Sequence, residues 1–536
     1  MGVLAGLMAT ENEGPELIKK LENPDLPSGY TYLLQLVAHD CVRTSTPFWA
    51  LSNPRAQARN ARTGRLRLDT IYDDGPSGCP FAYEPDDRND TSSRSRLRLG
   101  RMRSDPMRAE ANGPLRDIGR LASQPMDAPN GAAPGNSNEP WIANPSLTEV
   151  LLADSRNDDN VLVSQMTALF HMLHNTLLGV IDRSSEPGEW RGDMEKRFAC
   201  ARAATTMIYR RIVRDDLLHR LLQPDVHKRY QAEYEAGGSR GTLECGPGKR
   251  GGTSVPLEFS HGAFRFAHSM IRPAYQTGAP AAQPLSQALR RTSTRAPGSM
   301  PLDASWILPW GRFFRLEGGS PEPNLSLKIG PRYTGTLDNA AWFPSPLPPA
   351  EAAKSSPGVR TNGVALQDLL SAALSGVSSV QPLYAALQSR IAELGWGDLL
   401  ARSKLADEET RRAVLAGWMN RPRHATRPNE NDVAALAADP PLPFYVMFEA
   451  EHEEAGLRLG RLGSLIVAEV LYRAMLDDPL PGEIVTAPLQ DNLARLSLST
   501  LGKGALAAVP EIRDMAGLVG FIADQNRLRG ATPAFI

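Results

Sequence analysis

The chain has 536 residues, a formal net charge of −1, 22% charged residues and 41% hydrophobic residues. A charge so close to zero gives no support to a nucleic acid or another polyanion as partner. The sequence contains no run of about 18 apolar residues, so a membrane-spanning helix is not expected.

The cysteines and the N-terminal residues indicate in which cellular compartment the protein is expected. Cys41, Cys79, Cys200 and Cys245 are spread along the chain without the paired spacing of a metal site. So few cysteines in so long a chain predict reduced thiols. Residues 1–15 lack the basic start and the full apolar core of a secretory signal. We therefore expect a cytoplasmic protein.

The first long predicted helix carries a histidine. Residues 1–28 are expected to form a flexible arm, and residues 30–42 predict a helix with little polar face. Gln35 and His39 are four residues apart, so their side chains lie on the same side of that helix. Taken alone, the His39–Asp40 pair fits a helix end as well as a catalytic site.

Residues 73–145 are rich in Asp, Arg, Pro, Gly, Asn and Ser. This composition predicts a long excursion over the surface or a partly disordered segment. The run from 162 to 181 then predicts an amphipathic helix, with Met166, Phe170 and Leu173 on one face.

A second histidine lies in residues 257–273, between Pro256 and Pro273, which are typical helix limits. Phe264, His268 and Ile271 recur at helical spacing, so His268 lies on an apolar face. On spacing alone the commoner interpretation is a core histidine bonded to a carbonyl. The alternative is an axial ligand of haem iron.

The whole chain predicts a mainly α fold. It has no internal repeat and few runs of period two, so strands are expected to be short and scattered. We expect residues 29–530 to form a single helical domain with long irregular loops and little β structure.

Three blocks in order resemble the animal-type haem peroxidases of the peroxidase–cyclooxygenase superfamily, and their bacterial members most of all. Residues 258–270 read E-F-S-H-G-A-F-R-F-A-H-S-M, where the family's proximal helix reads E-F-x-x-A-A-Y/F-R-F-G-H-S-M. Residues 35–40 (Q-L-V-A-H-D) resemble the distal helix, and residues 153–160 (A-D-S-R-N-D-D-N) resemble the block of the distal arginine. The resemblance extends over about residues 30–525 and implies that family's helical fold.

On the distal side the resemblance implies three catalytic residues. His39 would take a proton from hydrogen peroxide and return it to the departing oxygen. Arg156 would stabilise the charge that develops on that oxygen. Gln35 would hold the distal water or ligand.

On the proximal side the resemblance makes His268 the axial ligand of the iron of a haem b. Arg265 would bind a haem propionate. Asp368 stands where the family has an asparagine that bonds the proximal imidazole. A carboxylate gives that ring more anionic character than an amide, so we expect Asp368 to make the iron harder to reduce.

The resemblance also implies a calcium site, with Asp40, Thr63 and Asp69 at ligand positions. Arg67 stands where the family has an aspartate, and a guanidinium there would repel the ion. Our hypothesis is that Arg67 takes the place of calcium by pairing with Asp40 or Asp69.

Two positions concern covalent attachment of haem, which the mammalian relatives achieve through two ester bonds. Ala38 stands at the first position and has no carboxylate. Asp159 stands at the second, where the family has the longer glutamate, and Asn160 replaces the methionine of the strongest halide oxidiser. We expect a non-covalent haem, or one linked at most once.

The resemblance implies a haem peroxidase that uses hydrogen peroxide to oxidise a small organic substrate. One alternative is a dioxygenase of fatty acids or another specialised oxidative enzyme. The dioxygenase mechanism uses a tyrosine three residues before the proximal histidine, and Arg265 stands there. The second alternative is a haem-binding protein without turnover, which needs neither His39 nor Arg156.

Overall fold

Helices make up most of the described part of the chain in this computed structural model. The structure describes residues 1–10, 13–47, 50–51, 53, 58–87, 93–103, 116–121, 124–125, 146–184, 194–237, 243, 255–318, 321–347, 352, 359–421, 428–500, 504–531 and 534–536. Its longer helices are α1 (Gly2–Met8), α2 (Pro15–Leu21), α3 (Gly29–Cys41), α4 (Val161–Ser184), α5 (Met194–Ile212), α6 (Pro224–Glu235), α7 (Val364–Ser375), α8 (Val380–Glu393), α9 (Glu408–Met419), α10 (Glu430–Ala438), α11 (Leu442–Glu454), α12 (Arg461–Leu476), α13 (Leu489–Thr500) and α14 (Met515–Gln525).

Shorter elements connect these helices. Single α turns lie at Asp69–Tyr72, Gly75–Gly78, Leu218–Leu221 and Leu285–Arg290. π turns lie at Val213–Leu217 and Glu258–Gly262. The 3₁₀ segments are Pro80–Ala82, Ser155–Asp158, Ala263–Met270, Pro297–Ser299, Trp310–Arg312, Gly335–Asp338 and Ala505–Ala508.

The β structure consists of five antiparallel pairs of short strands. The strands are β1 (Glu22–Pro27), β2 (Tyr83–Glu84), β3 (Arg96–Leu97), β4 (Leu99–Gly100), β5 (Asp117–Ile118), β6 (Gln124–Pro125), β7 (Ser146–Leu147), β8 (Ala274–Tyr275), β9 (Gln283–Pro284) and β10 (Leu325–Leu327). β1 pairs with β10, and each of the others pairs with its neighbour along the chain. The predicted mainly α fold with little β structure is confirmed.

Helix α4 is central to the core. It packs against α3, α5 and α14, and its apolar face, including Phe170, Leu173 and Leu177, is fully buried. Asn160 starts the helix, because its side-chain oxygen accepts hydrogen bonds from the backbone N–H groups of Leu162 and Val163, both at 3.0 Å.

The N-terminal segment is packed, which corrects the predicted flexible arm at residues 1–28. Leu4, Leu7 and Met8 of α1 are buried in the main core, and β1 pairs with a strand some 300 residues later, with Glu22 opposite Leu327. The sequence signal was the short apolar run at residues 3–8, which is too short to predict a helix by itself. The extent of the single domain at 29–530 stays a prediction.

Two predicted helices are wound or divided differently from expectation. Residues 257–273 form the π turn at Glu258–Gly262 and then the 3₁₀ segment Ala263–Met270, not one α-helix. The sequence predicts one helix over residues 364–387, but α7 ends at Ser375, where Gly376 has a φ of +73° that favours glycine, and α8 follows.

Of the predicted excursion at 73–145, the described parts form β2 to β6 and short turns, while residues 104–115 and 126–145 lie outside the described residues. Cys245 also lies outside them, whereas Cys41, Cys79 and Cys200 are buried. None of the described helices is long and apolar enough to cross a bilayer.

Candidate functional site

A cavity of about 910 Å³ brings most of the predicted site residues together. Its walls come from α3, the turn at residues 155–160, the 3₁₀ segment Ala263–Met270 and the start of α7. The volume lies in the range typical of small-molecule and cofactor sites. The predicted residues on its wall are Gln35, His39, Arg156, Asp159, Arg265, His268 and Asp368.

One ring nitrogen of His268 forms a hydrogen bond within the protein. Its Nδ1 lies 2.7 Å from Oδ2 of Asp368, and because a carboxylate only accepts, Nδ1 carries the hydrogen. The lone pair then lies on Nε2, which has no partner in the described part of the chain. The side chain is 33% exposed on the cavity wall. This is the arrangement that an axial imidazole ligand needs.

The 3₁₀ winding explains why Arg265 and His268 reach the same carboxylate. Residues three apart eclipse one another in a 3₁₀ helix, so both side chains lie on one face. Nη1 of Arg265 lies 3.8 Å from Oδ1 of Asp368, and its Nε donates to the carbonyl of Ser260 at 3.1 Å. Arg265 is thus partly engaged, but it borders the cavity as predicted.

Tyr333 is a third contact of Asp368 that the sequence did not indicate. Its hydroxyl donates to Oδ2, the same oxygen that accepts from His268, at 2.9 Å. Burial raises the pKa of Tyr333 well above its usual range, so the hydroxyl stays protonated. Burial alone would raise the pKa of Asp368, but His268, Arg265 and Tyr333 outweigh it and lower that pKa. The carboxylate is therefore ionised.

His39 has a matching arrangement on α3. Its Nδ1 lies 2.8 Å from Oδ1 of Asn157. The amide orientation is fixed by Thr70, whose backbone carbonyl accepts from Nδ2 of Asn157 at 3.1 Å. Nδ1 of His39 therefore donates, and the lone pair lies on Nε2. Burial and the nearby Arg156 lower the pKa of His39 to about 4, so the ring is neutral at pH 7.

Arg156 lines the cavity, but most of its N–H groups form hydrogen bonds within the protein. Nε and Nη2 donate to Asp154, Nη1 donates to the carbonyl of Val42 at 2.8 Å, and Nη2 donates to the carbonyl of His39 at 2.9 Å. Of the five N–H groups of a guanidinium, one on Nη1 is left without a partner in the described chain. Burial opposes ionisation of Asp154, but Arg156 and Arg62 lower its pKa far below the ordinary value.

The remaining predicted distal residues are held by the end of the same turn. Nδ2 of Asn160 donates to Oε1 of Gln35 at 3.2 Å, so the residue that starts α4 also orients Gln35. Asp159 borders the cavity, and desolvation raises the pKa of its carboxyl to about 6 although Arg295 and Arg156 act in the opposite direction.

The predicted calcium positions require one correction. Arg67 pairs with Asp478, not with Asp40 or Asp69. Asp40 accepts hydrogen bonds from the backbone N–H groups of Leu68 at 3.0 Å and Thr70 at 3.4 Å, and burial raises its pKa to about 7.

The two remaining calcium candidates bond one another, with the hydroxyl of Thr63 donating to Asp69 at 3.3 Å. Within the described ranges, no group of three or more His, Cys, Asp or Glu side chains is arranged to hold a metal ion.

Sequence reasoning missed four residues that shape this site. Asp154 and Asn157 lie inside the block that indicated Arg156, and Tyr333 directly follows the sequence N-L-S-L-K-I-G-P-R at 324–332. Arg295 lies in a connection of Pro, Ala, Gln and Ser that has no readable motif. Their partners are far away in sequence, with 118 residues between His39 and Asn157.

Comparisons with known proteins relate part of the chain to one family model. Residues 101–310 match the family model described as animal haem peroxidase. Among curated protein sequences nothing matches the chain. The model match includes Arg156, Arg265 and His268 but neither His39 nor Asp368.

Solved structures share the fold over nearly the whole chain. Peroxidase A from Dictyostelium discoideum is 13% identical, with a TM-score of 0.53 over 98% of this chain and 88% of that one. Fatty acid alpha-dioxygenase of Arabidopsis thaliana is 12% identical, with a TM-score of 0.53 over 98% of this chain and 75% of that one. The Oryza sativa alpha-dioxygenase is 13% identical, with a TM-score of 0.52 over 98% and 78%.

At such low identity these likenesses show the fold alone, and the bacterial branch stays a prediction. The chain therefore contains a segment, residues 101–310, that matches the animal haem peroxidase model, and it shares its fold with these solved structures.

Proposed function

We propose that the chain is a haem-dependent peroxidase that uses hydrogen peroxide to oxidise a small organic substrate. One observation carries the proposal. A neutral imidazole with an open Nε2, His39, borders the same cavity as a second imidazole with an open Nε2, His268. The first suits proton transfer and the second suits metal ligation.

The residues present fit a haem. His268 would supply the axial nitrogen and Arg265 would pair with a propionate. When bound, the iron would supply the site at which peroxide is cleaved and oxidising equivalents are held. We propose a non-covalent haem b, because Ala38 offers no carboxylate and Asp159 is shorter than the ester-forming glutamate of the mammalian relatives.

Proton transfer falls to His39. Its Nε2 would accept a proton from hydrogen peroxide and return it to the departing oxygen, which leaves as water. The hydrogen bond from Nδ1 to Asn157 keeps the ring in the tautomer that can do this. Arg156 would stabilise charge on the departing oxygen with its remaining N–H, and Gln35 would hold the distal water or ligand.

The compartment is proposed on separate grounds. Two cysteines, Cys41 and Cys79, are buried and form no disulfide within the described residues. Thiols that persist unpaired suit a reducing compartment, which favours the cytoplasm.

The direct test is peroxide-dependent oxidation of guaiacol by the haem-loaded protein. We expect turnover by the natural chain and a fall of about 10²- to 10⁴-fold in His39→Leu, which loses the proton acceptor. The matched control is His452→Leu on the exposed end of α11, which should keep full activity. Equal activity of the two variants would overturn the proposal.

A fatty acid dioxygenase is the second candidate, because two solved structures that share the fold are described as fatty acid alpha-dioxygenases. Arg265 counts against it, since that mechanism uses a tyrosine at this position. Uptake of oxygen with palmitic acid and without peroxide would favour this candidate. A haem-binding protein without turnover would show neither reaction.

A further inference from the structure

Arg295 is a fixed guanidinium on the cavity wall that no role above uses. Its Nη1 donates to the backbone carbonyls of Asp159 at 3.1 Å and Leu289 at 2.8 Å. Its Cζ lies 5.7 Å from the centroid of the Trp342 ring, within range of a cation–π contact. These three contacts hold the side chain in one orientation, so little ordering entropy is left to lose when an anion binds.

The other donors of Arg295 are available. Nε and Nη2 have no hydrogen-bond partner in the described ranges, and no described carboxylate lies within ion-pair distance of the guanidinium. Asp159 accepts a hydrogen bond from Arg295 through its backbone carbonyl, and its carboxylate is attracted by the guanidinium without a direct hydrogen bond. The residue is exposed and borders the cavity. Nε and Nη2 form the fork that binds a carboxylate through two parallel hydrogen bonds.

Apolar side chains line part of the cavity that Arg295 borders. They are Leu285, Leu289, Leu337 and Phe343. A molecule that fills this space while pairing with Arg295 needs an acid group at one end and an apolar body.

The position of Arg295 separates it from the residue assigned to the haem propionate. Arg295 bonds the backbone of Asp159, which is three residues after Arg156 on the distal turn. Arg265 instead lies beside Asp368, the partner of the proximal His268. Arg295 therefore adjoins the turn that carries Arg156, the residue to which the proposed function assigns the departing oxygen.

We infer that Arg295 and Trp342 form a carboxylate-binding subsite that takes the acid end of an amphipathic monocarboxylic substrate. The identity of this ligand as a substrate rests on the proposed function, whereas its binding does not.

The test compares octanoate with octanamide, which has the same apolar chain without the charge. Both are titrated by calorimetry into the haem-loaded full chain and into the haem-free chain. We expect octanoate to bind on the order of tenfold more tightly, as charge-assisted hydrogen bonds to a guanidinium allow. Arg295→Gln should remove this preference and leave octanamide binding unchanged. Arg513→Gln, which alters a 68% exposed arginine outside the cavity, should keep the preference.

Two results would overturn the inference. The first is no preference for octanoate in the natural chain, and the second is a preference that survives in Arg295→Gln. If haem also transfers faster from that variant to apomyoglobin, the second result would assign the guanidinium to a haem propionate. If Arg295→Gln binds neither ligand, the Trp342→Leu variant provides the test. The inference requires that this variant binds octanoate more weakly than the natural chain does and binds octanamide equally well.

The two proposals fail separately. A preference for octanoate without peroxide-dependent turnover would support the subsite and contradict the peroxidase activity. Oxidation of guaiacol without a preference for octanoate would support the peroxidase activity and contradict the subsite.

Discussion

Two histidines on different elements each donate one hydrogen bond, from Nδ1, to a side-chain oxygen that can only accept. His39 donates to Asn157 and His268 donates to Asp368, so both rings keep the lone pair on Nε2. The partners differ in charge. An amide leaves His39 a neutral base, whereas a carboxylate makes the His268 ring more electron-rich. Under the proposed function, one residue type would thus supply a proton acceptor at one place and a strong metal ligand at the other.

The partner of His39 can be tested by Asn157→Leu. Without the acceptor for Nδ1–H, the ring is free to rotate or change tautomer, and Nε2 is no longer held as the acceptor. We expect the second-order rate constant with hydrogen peroxide, measured by stopped flow, to fall by about tenfold or more. Asn526→Leu, which alters a hydrogen-bonded amide outside the cavity, is the control. A rate equal to that of the natural chain would contradict the role of Asn157.

The partners of His268 predict opposite shifts in the iron reduction potential. Asp368→Asn replaces the carboxylate by an amide, so the potential should rise. Tyr333→Phe removes the hydroxyl that shares Oδ2 with His268, which leaves more negative charge for the imidazole, so the potential should fall. Spectroelectrochemistry measures both. Shifts in the same direction, or no shift in either variant, would show that this carboxylate does not control the iron.

At the scale of elements, the winding of the segment that carries His268 depends on tertiary contacts. Pro256 and Pro273 predicted its limits within three residues, but the sequence did not indicate the change from π to 3₁₀ winding. The change occurs at Gly262, where a Cβ atom would lie 2.7 Å from Cδ2 of Leu442 on α11. A contact between residues 180 positions apart cannot be predicted from local periodicity. The glycine at position 262 was the one local signal that the helix could change its winding there.

The segment before Asp69 depends on an ion-pair cluster around Asp478. This carboxylate is 5% exposed and contacts Arg65 at 3.2 Å, Arg210 at 3.3 Å and Arg67. Asp478→Asn should lower the free energy of unfolding by about 2–4 kcal/mol, less than for fully buried pairs because Arg65 and Arg67 are a third exposed. Chemical denaturation measures this loss.

The exposed pair of Asp524 and Arg529 provides the control for that variant. Both side chains are more than half exposed, so Asp524→Asn should cost about 1 kcal/mol or less. Equal losses in the two variants would show that the cluster around Asp478 does not stabilise the segment. Stoichiometric calcium in the purified protein would contradict the hypothesis that Arg67 takes the place of calcium.

At the scale of the whole molecule, the mainly α fold and the place of the site in it were predictable, whereas the long-range packing was not. Periodicity indicated α3 and α4, and the blocks at 35–40, 153–160 and 258–270 do meet at one cavity. The packing of α1 and β1 was missed, because it depends on partners such as Leu327 that only the folded chain brings near. The same reason explains why Arg295 and Tyr333 could not be chosen from the sequence.

Global stability should depend on pH through His174, which is fully buried in α4 between Tyr72 and the carbonyl of Ser95. Burial lowers its pKa from 6.5 to about 3. Between these values the unfolded chain binds a proton that the folded chain does not, so this contribution is complete above pH 6.5 and is lost as pH falls. The loss is about 1.4 kcal/mol per pH unit.

A His174→Gln variant isolates this contribution from the other titrating groups. The difference in unfolding free energy between the natural chain and the variant should shrink from pH 7.5 to pH 4.5. The same comparison with His452→Gln, at an exposed position, should show no such trend. A difference for His174→Gln that is constant with pH would contradict the burial of a neutral ring.

The bond from His268 to haem iron is tested most directly by absorption spectroscopy of the chain loaded with haem, before and after peroxide. The natural chain should show a Soret band that changes with peroxide. His268→Ala should lose this band and its turnover, and added imidazole should restore both in part. If His268→Ala keeps the Soret band and the turnover of the natural chain, His268 is not the iron ligand.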